Sequence, residues 1–284
     1  MLSRFLEILD RKSFLNFHIW EFSFHSFFKE YARLFFFEAM LSHPGRTILG
    51  LRNYQQFIRS QENLFIHYQK SLAVPREVIF VESIKQPETR PLVGLGFCLK
   101  PYHPKDRELS CPAGRANHEC FYLERGQTRE VCSSCAIFKI AQKCLQTGCS
   151  AYIMTSAKDI AGDFLLPQIK KGSFPAAILL LCPYSVQAIL PALFICGIKA
   201  FLLAYSTGYC KDYEEWRRAD LGQKEERTKL SVDSWEKLFN LFDLSGESEP
   251  PFHSFKREGN IFHPELKTRF SGRDRSRHWQ RPEW

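Results

Sequence analysis

No glycine-rich phosphate loop, no HExxH and no GxSxG occurs in the 284 residues. The chain therefore carries none of the short signatures of nucleotide handling, zincin-type hydrolysis or serine esterase chemistry. It also lacks a concentrated basic stripe. The net charge of +8 is spread along the chain, with mixed signs as in Lys224-Glu225-Glu226-Arg227, a pattern that suits solvated helix faces and speaks against a nucleic-acid partner. Cysteine is missing from both ends: all 10 fall between Cys98 and Cys210. Glu7, Asp10, Arg11 and Lys12 interrupt the apolar run that an export signal would need. A reducing, cytoplasmic setting is the expectation, and there clustered cysteines bind metal or do redox chemistry more often than they form disulfides.

What is present divides the chain in three. Residues 1–74 are expected to be a helical, aromatic-rich region, because 12 of the 26 phenylalanines lie in the first 75 residues. Phe5, Leu6, Ile8 and Leu9 recur at helical spacing, and Leu34 to Met40 form a second apolar block. Such a surface must be covered. Packing on the rest of the chain is the preferred expectation, with a protein partner or a membrane surface as the other occupants of residues 1–74.

Residues 75–244 read as a cysteine-rich α/β domain. Leu92 to Phe97 is an apolar stretch, and Lys100 to Glu130 has no sustained period. From Cys132 onward helix and strand alternate: helix from Ala136 to Thr147 stopped by Gly148, strand from Ala151 to Met154, helix from Asp159 to Lys171, strand from Ala176 to Leu181, helix from Ser185 to Cys196, strand from Ile198 to Ala204. Strands separated by helices of this length predict a parallel, Rossmann-like sheet. No charged residue lies between Lys171 and Lys199, long enough to imitate a membrane span. Pro175, Pro183 and Pro191 punctuate that run, and buried parallel strands are themselves continuously apolar. A terminal helix is expected from Ser231 to Leu244, and residues 245–284 read as a polar, disordered tail.

The sharpest local feature is Cys132-Ser133-Ser134-Cys135 ahead of a helix, since two thiols at this spacing chelate one metal and a helix N-terminus favours thiolate. It lacks the buried strand that a thioredoxin-like pair has in front of it. Cys111 and Cys120 lie in a loop too long to be ordered without support, and Cys98 and Cys182 each follow an apolar strand, where open parallel sheets place their sites. Cys210 lies within reach of the same rim. The predicted metal-site residues are therefore Cys98, Cys111, Cys120, Cys132, Cys135 and Cys182. His103 and His118 are weaker candidates, and Cys144, Cys149 and Cys196 read as core residues. Thiolates accept zinc or an iron–sulfur cluster equally well by ligand type, so the cofactor stays open between the two.

The order Cys98-Leu99-Lys100 after an apolar strand, then Cys111, then Cys132-x-x-Cys135-x-Ile137-x-x-Ile140, then Cys182 after Ile178 to Leu181, resembles the prokaryotic proteins grouped as domain of unknown function 116. The resemblance spans about residues 75–213. It implies a cysteine-rich α/β domain and metal ligation by Cys98, Cys111, Cys132, Cys135 and Cys182, without naming a reaction. Three functions follow as expectations: a metal or iron–sulfur protein with a redox or sulfur-related accessory role, a structural-zinc scaffold working through its aromatic N-terminal surface, and a zinc hydrolase or transferase.

Overall fold

A computed structural model describes residues 35, 37–60, 72–74, 91–103, 105–106, 108–174, 176–221, 223–224, 226–243 and 252–266. At its centre four parallel strands lie in the order β3-β2-β4-β5: β2 (Leu92–Gly96), β3 (Ser150–Met154), β4 (Ala176–Leu181) and β5 (Lys199–Ala204). β1 (Leu72–Val74) extends one edge by antiparallel pairing to β5, and β6 (Phe252–Glu258) and β7 (Ile261–Leu266) extend the other, giving seven strands. The fold is mixed α/β with a mostly parallel core, as the alternation predicts.

The parallel strands are apolar on both faces because both faces are covered. On one, Val93, Leu95, Ile153, Ile178, Leu180 and Leu203 pack with the helices α4 (Ala136–Thr147) and α9 (Val232–Asp243). On the other, Leu92, Tyr152, Leu179, Leu181 and Leu202 pack with α2 (Pro44–Ser60) and α7 (Pro183–Cys196). α4 shows how pattern becomes packing. Ile137, Ile140, Ala141 and Cys144 recur at three- and four-residue spacing and are all buried. Gly148, at φ 75°, then ends the helix in the left-handed region.

The uncharged stretch from 172 to 198 is accounted for by β4 and α7 inside this sandwich. Among the described residues no helix is long and apolar enough to cross a membrane. The described part of the aromatic region packs on the sheet's helical layer, through Phe35, Ala39, Leu51 and Tyr54. A β-carbon on Gly50 would overlap the Ile195 backbone, so this glycine permits α2 and α7 to approach closely. The remainder of that helical expectation, and the β-branched run Val78 to Val81 that the sequence also carries, lie outside the described residues.

Within the region read as helical, α1 (Glu38–Ser42) precedes α2, with only His43 between them. Three features depart from the sequence reading. A short helix, α3 (Phe121–Arg125), interrupts the long loop. α8 (Tyr213–Asp220) is a highly charged helix whose Asp212 side chain caps the Glu215 amide at 2.8 Å. Most plainly, the segment expected to be a disordered tail contains the β6–β7 hairpin, which pairs with β3 at Ala151 and Tyr152. Its polar composition is that of an edge: Lys256, Arg257 and Glu258 face solvent while Phe255, Ile261 and Phe262 are buried. The rest of 245–284 lies outside the described residues.

The second long helix also begins earlier than expected. Ser156 caps it by accepting from the Asp159 amide at 3.1 Å. It then runs through α5 (Ala157–Ile160), a π turn over Ala161–Leu165, and α6 (Leu166–Lys171).

Candidate metal centre

All ten cysteines are free thiols. Four of the six predicted ligands, Cys111, Cys120, Cys132 and Cys135, line one cavity between the 101–120 loop and the start of α4, with Pro101, Pro112, Phe121, Ile137 and Phe138 as its apolar walls. They come from three pieces of backbone: the loop carries Cys111, Cys120 is the N-cap of α3, and Cys132 sits in a 3-10 turn (Glu130–Ser134) that delivers Cys135 to the N-cap of α4.

Backbone N–H groups point toward these sulfurs. The Arg129 amide donates to Cys132 Sγ at 3.4 Å. The amides of Tyr122 and Leu123 face Cys120, and those of Ile137 and Phe138 face Cys135; each lowers its thiol's pKa without closing a cap hydrogen bond of normal geometry. Burial outweighs them. It pushes Cys135 up to about 11 and raises Cys111 and Cys120 as well.

Beside the thiols lies Lys100, only 1% exposed. Its ammonium donates to Gly114 O at 3.0 Å, to Asn117 O at 2.9 Å and to Asn117 Oδ1 at 2.5 Å. Those three bonds use all three of its protons. It has no carboxylate partner among these contacts, and burial lowers its pKa while Cys111, Cys120 and Cys135 oppose that shift. A cation buried among neutral acceptors is costly, and negative charge on the adjacent sulfurs would offset the cost.

The loop does not depend on a metal alone for its order. Arg115 reaches across to Lys224 O at 2.6 Å and to Glu226 O, and its guanidinium stacks on Tyr102 at 4.5 Å. His118 places Nδ1 2.7 Å from Ile153 O and Nε2 3.0 Å from Thr155 Oγ1 and 3.4 Å from Asp159 Oδ2. Both ring nitrogens are thus engaged in pinning the loop to the end of β3, so His118 is a structural anchor. His103 is exposed and joins the loop through its backbone, which pairs with Ser110.

The other two predicted ligands lie elsewhere. Cys98 sits in a 3-10 turn (Phe97–Leu99) directly after β2, and Cys182 is the N-cap of α7 directly after β4. There they meet Cys210 and Tyr205, beyond the end of β5. The six predicted ligands therefore fall into two groups, four at the cavity and two at the strand ends. The physical reason is that strand ends converge on one another across the sheet, whereas Cys111 and Cys120 are carried away by the loop. Cys144, Cys149 and Cys196 are core residues, as read: each is buried, and burial raises every one of their pKa values.

Among the described residues, no group of three or more His, Cys, Asp or Glu side chains is arranged so that it could hold a metal ion. Comparison with known proteins gives no match to a family model, to a curated protein or to a solved structure.

Proposed function

We propose that the cavity lined by Cys111, Cys120, Cys132 and Cys135 is a four-thiolate metal centre, and that its group is an iron–sulfur cluster in preference to a single zinc. The observation that carries this reading is that four thiols from separated segments share one apolar-walled cavity beside a buried cation. Four thiolates hold either group by ligand type; the backbone amides directed at the sulfurs favour the cluster, whose potential such amides tune.

The chemistry of the surrounding groups supports such a reading. Backbone amides of Arg129, Tyr122, Leu123, Ile137 and Phe138 face the sulfurs, and amides directed at thiolates stabilise their charge and tune reduction potential. Lys100 supplies a fixed positive charge nearby. The apolar wall limits water. When bound, a cluster supplies one-electron transfer, which suits a redox or sulfur-related accessory role in a reducing cytoplasm. The parallel strand order, with helices on both faces, is read as Rossmann-like, and the cavity then lies beside the rim where such sheets carry their sites.

The test is metal, acid-labile sulfide and visible absorption on full-length chain purified without oxygen. Iron with sulfide and a visible band, all lost in Cys132→Ser/Cys135→Ser, is the expected result. Zinc near one per chain would replace the cluster with a structural site, and no metal at all would overturn the reading.

A further inference from the structure

At the carboxyl ends of β2, β4 and β5 lies a second set of thiols that the metal reading does not use. Cys182 and Cys210 are in direct contact: the two thiols hydrogen-bond each other, and the Cys210 amide donates to Cys182 Sγ at 3.3 Å. Lys224 Nζ stands 3.6 Å from Cys210 Sγ and also donates to Gly208 O. The backbone holds this arrangement. Gly208, at φ 59°, leaves no room for a β-carbon against the Arg227 carbonyl, and its own carbonyl accepts from Thr228 Oγ1 at 2.8 Å. Residues 226–230 are strapped over the strand ends by Thr228 N to Cys98 O at 3.1 Å and Ser206 N to Lys229 O at 2.9 Å.

The two thiols are not equivalent. The hydrogen bond from Cys182 lowers the pKa of Cys210 and Lys224 adds to that, against burial; the same bond raises Cys182, and burial adds to it. Contact with the Lys224 ammonium favours negative charge on Cys210 over Cys182. Cys98 lies near both, its pKa raised mainly by burial and lowered by a hydrogen bond with Thr228. Cys210 is 2% exposed and Cys182 7%, so only a small reagent reaches them.

We propose that Cys182 and Cys210 form a redox-active dithiol oxidised by small hydroperoxides, with Cys210 the attacking sulfur, Cys182 the resolving sulfur and Lys224 holding the thiolate. The Cys210 thiolate attacks the peroxide oxygen, the O–O bond breaks, and the leaving hydroxide takes a proton to become water. The resulting sulfenic acid is attacked by Cys182 sulfur, which loses its proton; an S–S bond forms, the S–O bond breaks, and a second water leaves. Two electrons pass from the two thiols to one hydrogen peroxide. A small dithiol reductant returns the pair to its starting state by exchange. This assignment is independent of the cavity, whose cysteines lie on other peptides.

The experiment is titration of the reduced full-length chain with hydrogen peroxide, followed by alkylation of remaining thiols and peptide mass mapping without reduction. The expected product is a Cys182–Cys210 disulfide. Cys182→Ser should stop the reaction at a Cys210 sulfenic acid that a dimedone probe captures. Lys224→Gln, which leaves both sulfurs in place, should slow oxidation several-fold at neutral pH and move the pH of half-maximal rate upward. That shift is not expected of a merely structural lysine. Both thiols still alkylatable after stoichiometric peroxide, or Cys98 taking the place of either partner, would overturn the proposal, and an unchanged pH profile in Lys224→Gln would overturn the part given to the lysine.

Discussion

The two thiol clusters use one residue type in opposite ways. In the loop cavity, four cysteines face a lysine whose protons are all committed to carbonyl and amide oxygens, so its charge reaches the sulfurs only through space. At the strand ends, Lys224 touches a sulfur directly and two thiols share a hydrogen bond. The first arrangement leaves its thiols without covalent or acid–base partners and suits an inserted cation or cluster. The second already contains both members of a reaction. Burial raises Cys135 and Cys98 alike; what separates the Cys182–Cys210 pair is contact, not depth.

The sharpest way to break this contrast is Cys132→Ser/Cys135→Ser. It should abolish bound metal and loosen residues 101–134, seen as faster amide hydrogen exchange there, while peroxide still closes Cys182–Cys210. Loss of both chemistries together would mean that the clusters are one site. A smaller and opposite effect is expected from Gly208→Ala. The position needs φ 59° and has no space against Arg227, so the substitution should cost about 1–3 kcal/mol in strain. It should also displace Lys224 from Cys210, lowering the urea midpoint and the peroxide rate while metal content stays unchanged. A Gly208→Ala chain that oxidises at the normal rate would show that the strap does not position the lysine.

Much of this was legible from the sequence where local pattern and burial agree. β4 and α4 keep the limits expected of them because an uninterrupted apolar run and a 3.6-residue period each match the side of the sandwich they enter. Cys111, Cys120, Cys132 and Cys135 were identified by spacing and by a loop in want of support, and they share the cavity. Cys98 and Cys182 are legible as residues that follow strands and exceed one four-ligand shell; what spacing does not tell is that they meet each other and Cys210 before they meet the loop. Cys210 carried half a signal, as a residue within reach of the rim. The β6–β7 hairpin escaped because edge strands carry charge on their open side. Its trace was Gly259-Asn260, a two-residue turn signal between alternating runs. For α8 the trace was Asp212 three residues before Glu215, a cap hidden by the charge that followed it.

The subtlest difference between the two regions concerns how each is tied to the sheet, and pH distinguishes them. The cavity loop is anchored through His118 to Thr155 and Asp159. Burial pushes the Asp159 carboxyl up, but hydrogen bonds from Thr155 and Ser156 and the His118 imidazole outweigh it, leaving its pKa below the usual carboxylate value. A depressed pKa means that the unfolded chain binds the proton more readily. The contribution is therefore complete above the unfolded value of about 3.9 and is lost as pH falls through the lower folded value. Because Asp159 is 35% exposed, solvent screens it, and the effect should be below about 1 kcal/mol. Comparing urea midpoints of the native chain and Asp159→Asn from neutral to acid pH should show a small deficit in the variant that narrows as the native carboxyl protonates. The strand-end cluster, whose nearest carboxylate among the described residues is Glu215, should keep its peroxide reactivity in that variant. A deficit that persists unchanged into acid would mean that Asp159 acts through packing and not through its charge, the loop then being held by the hydrogen bonds of His118 and Arg115.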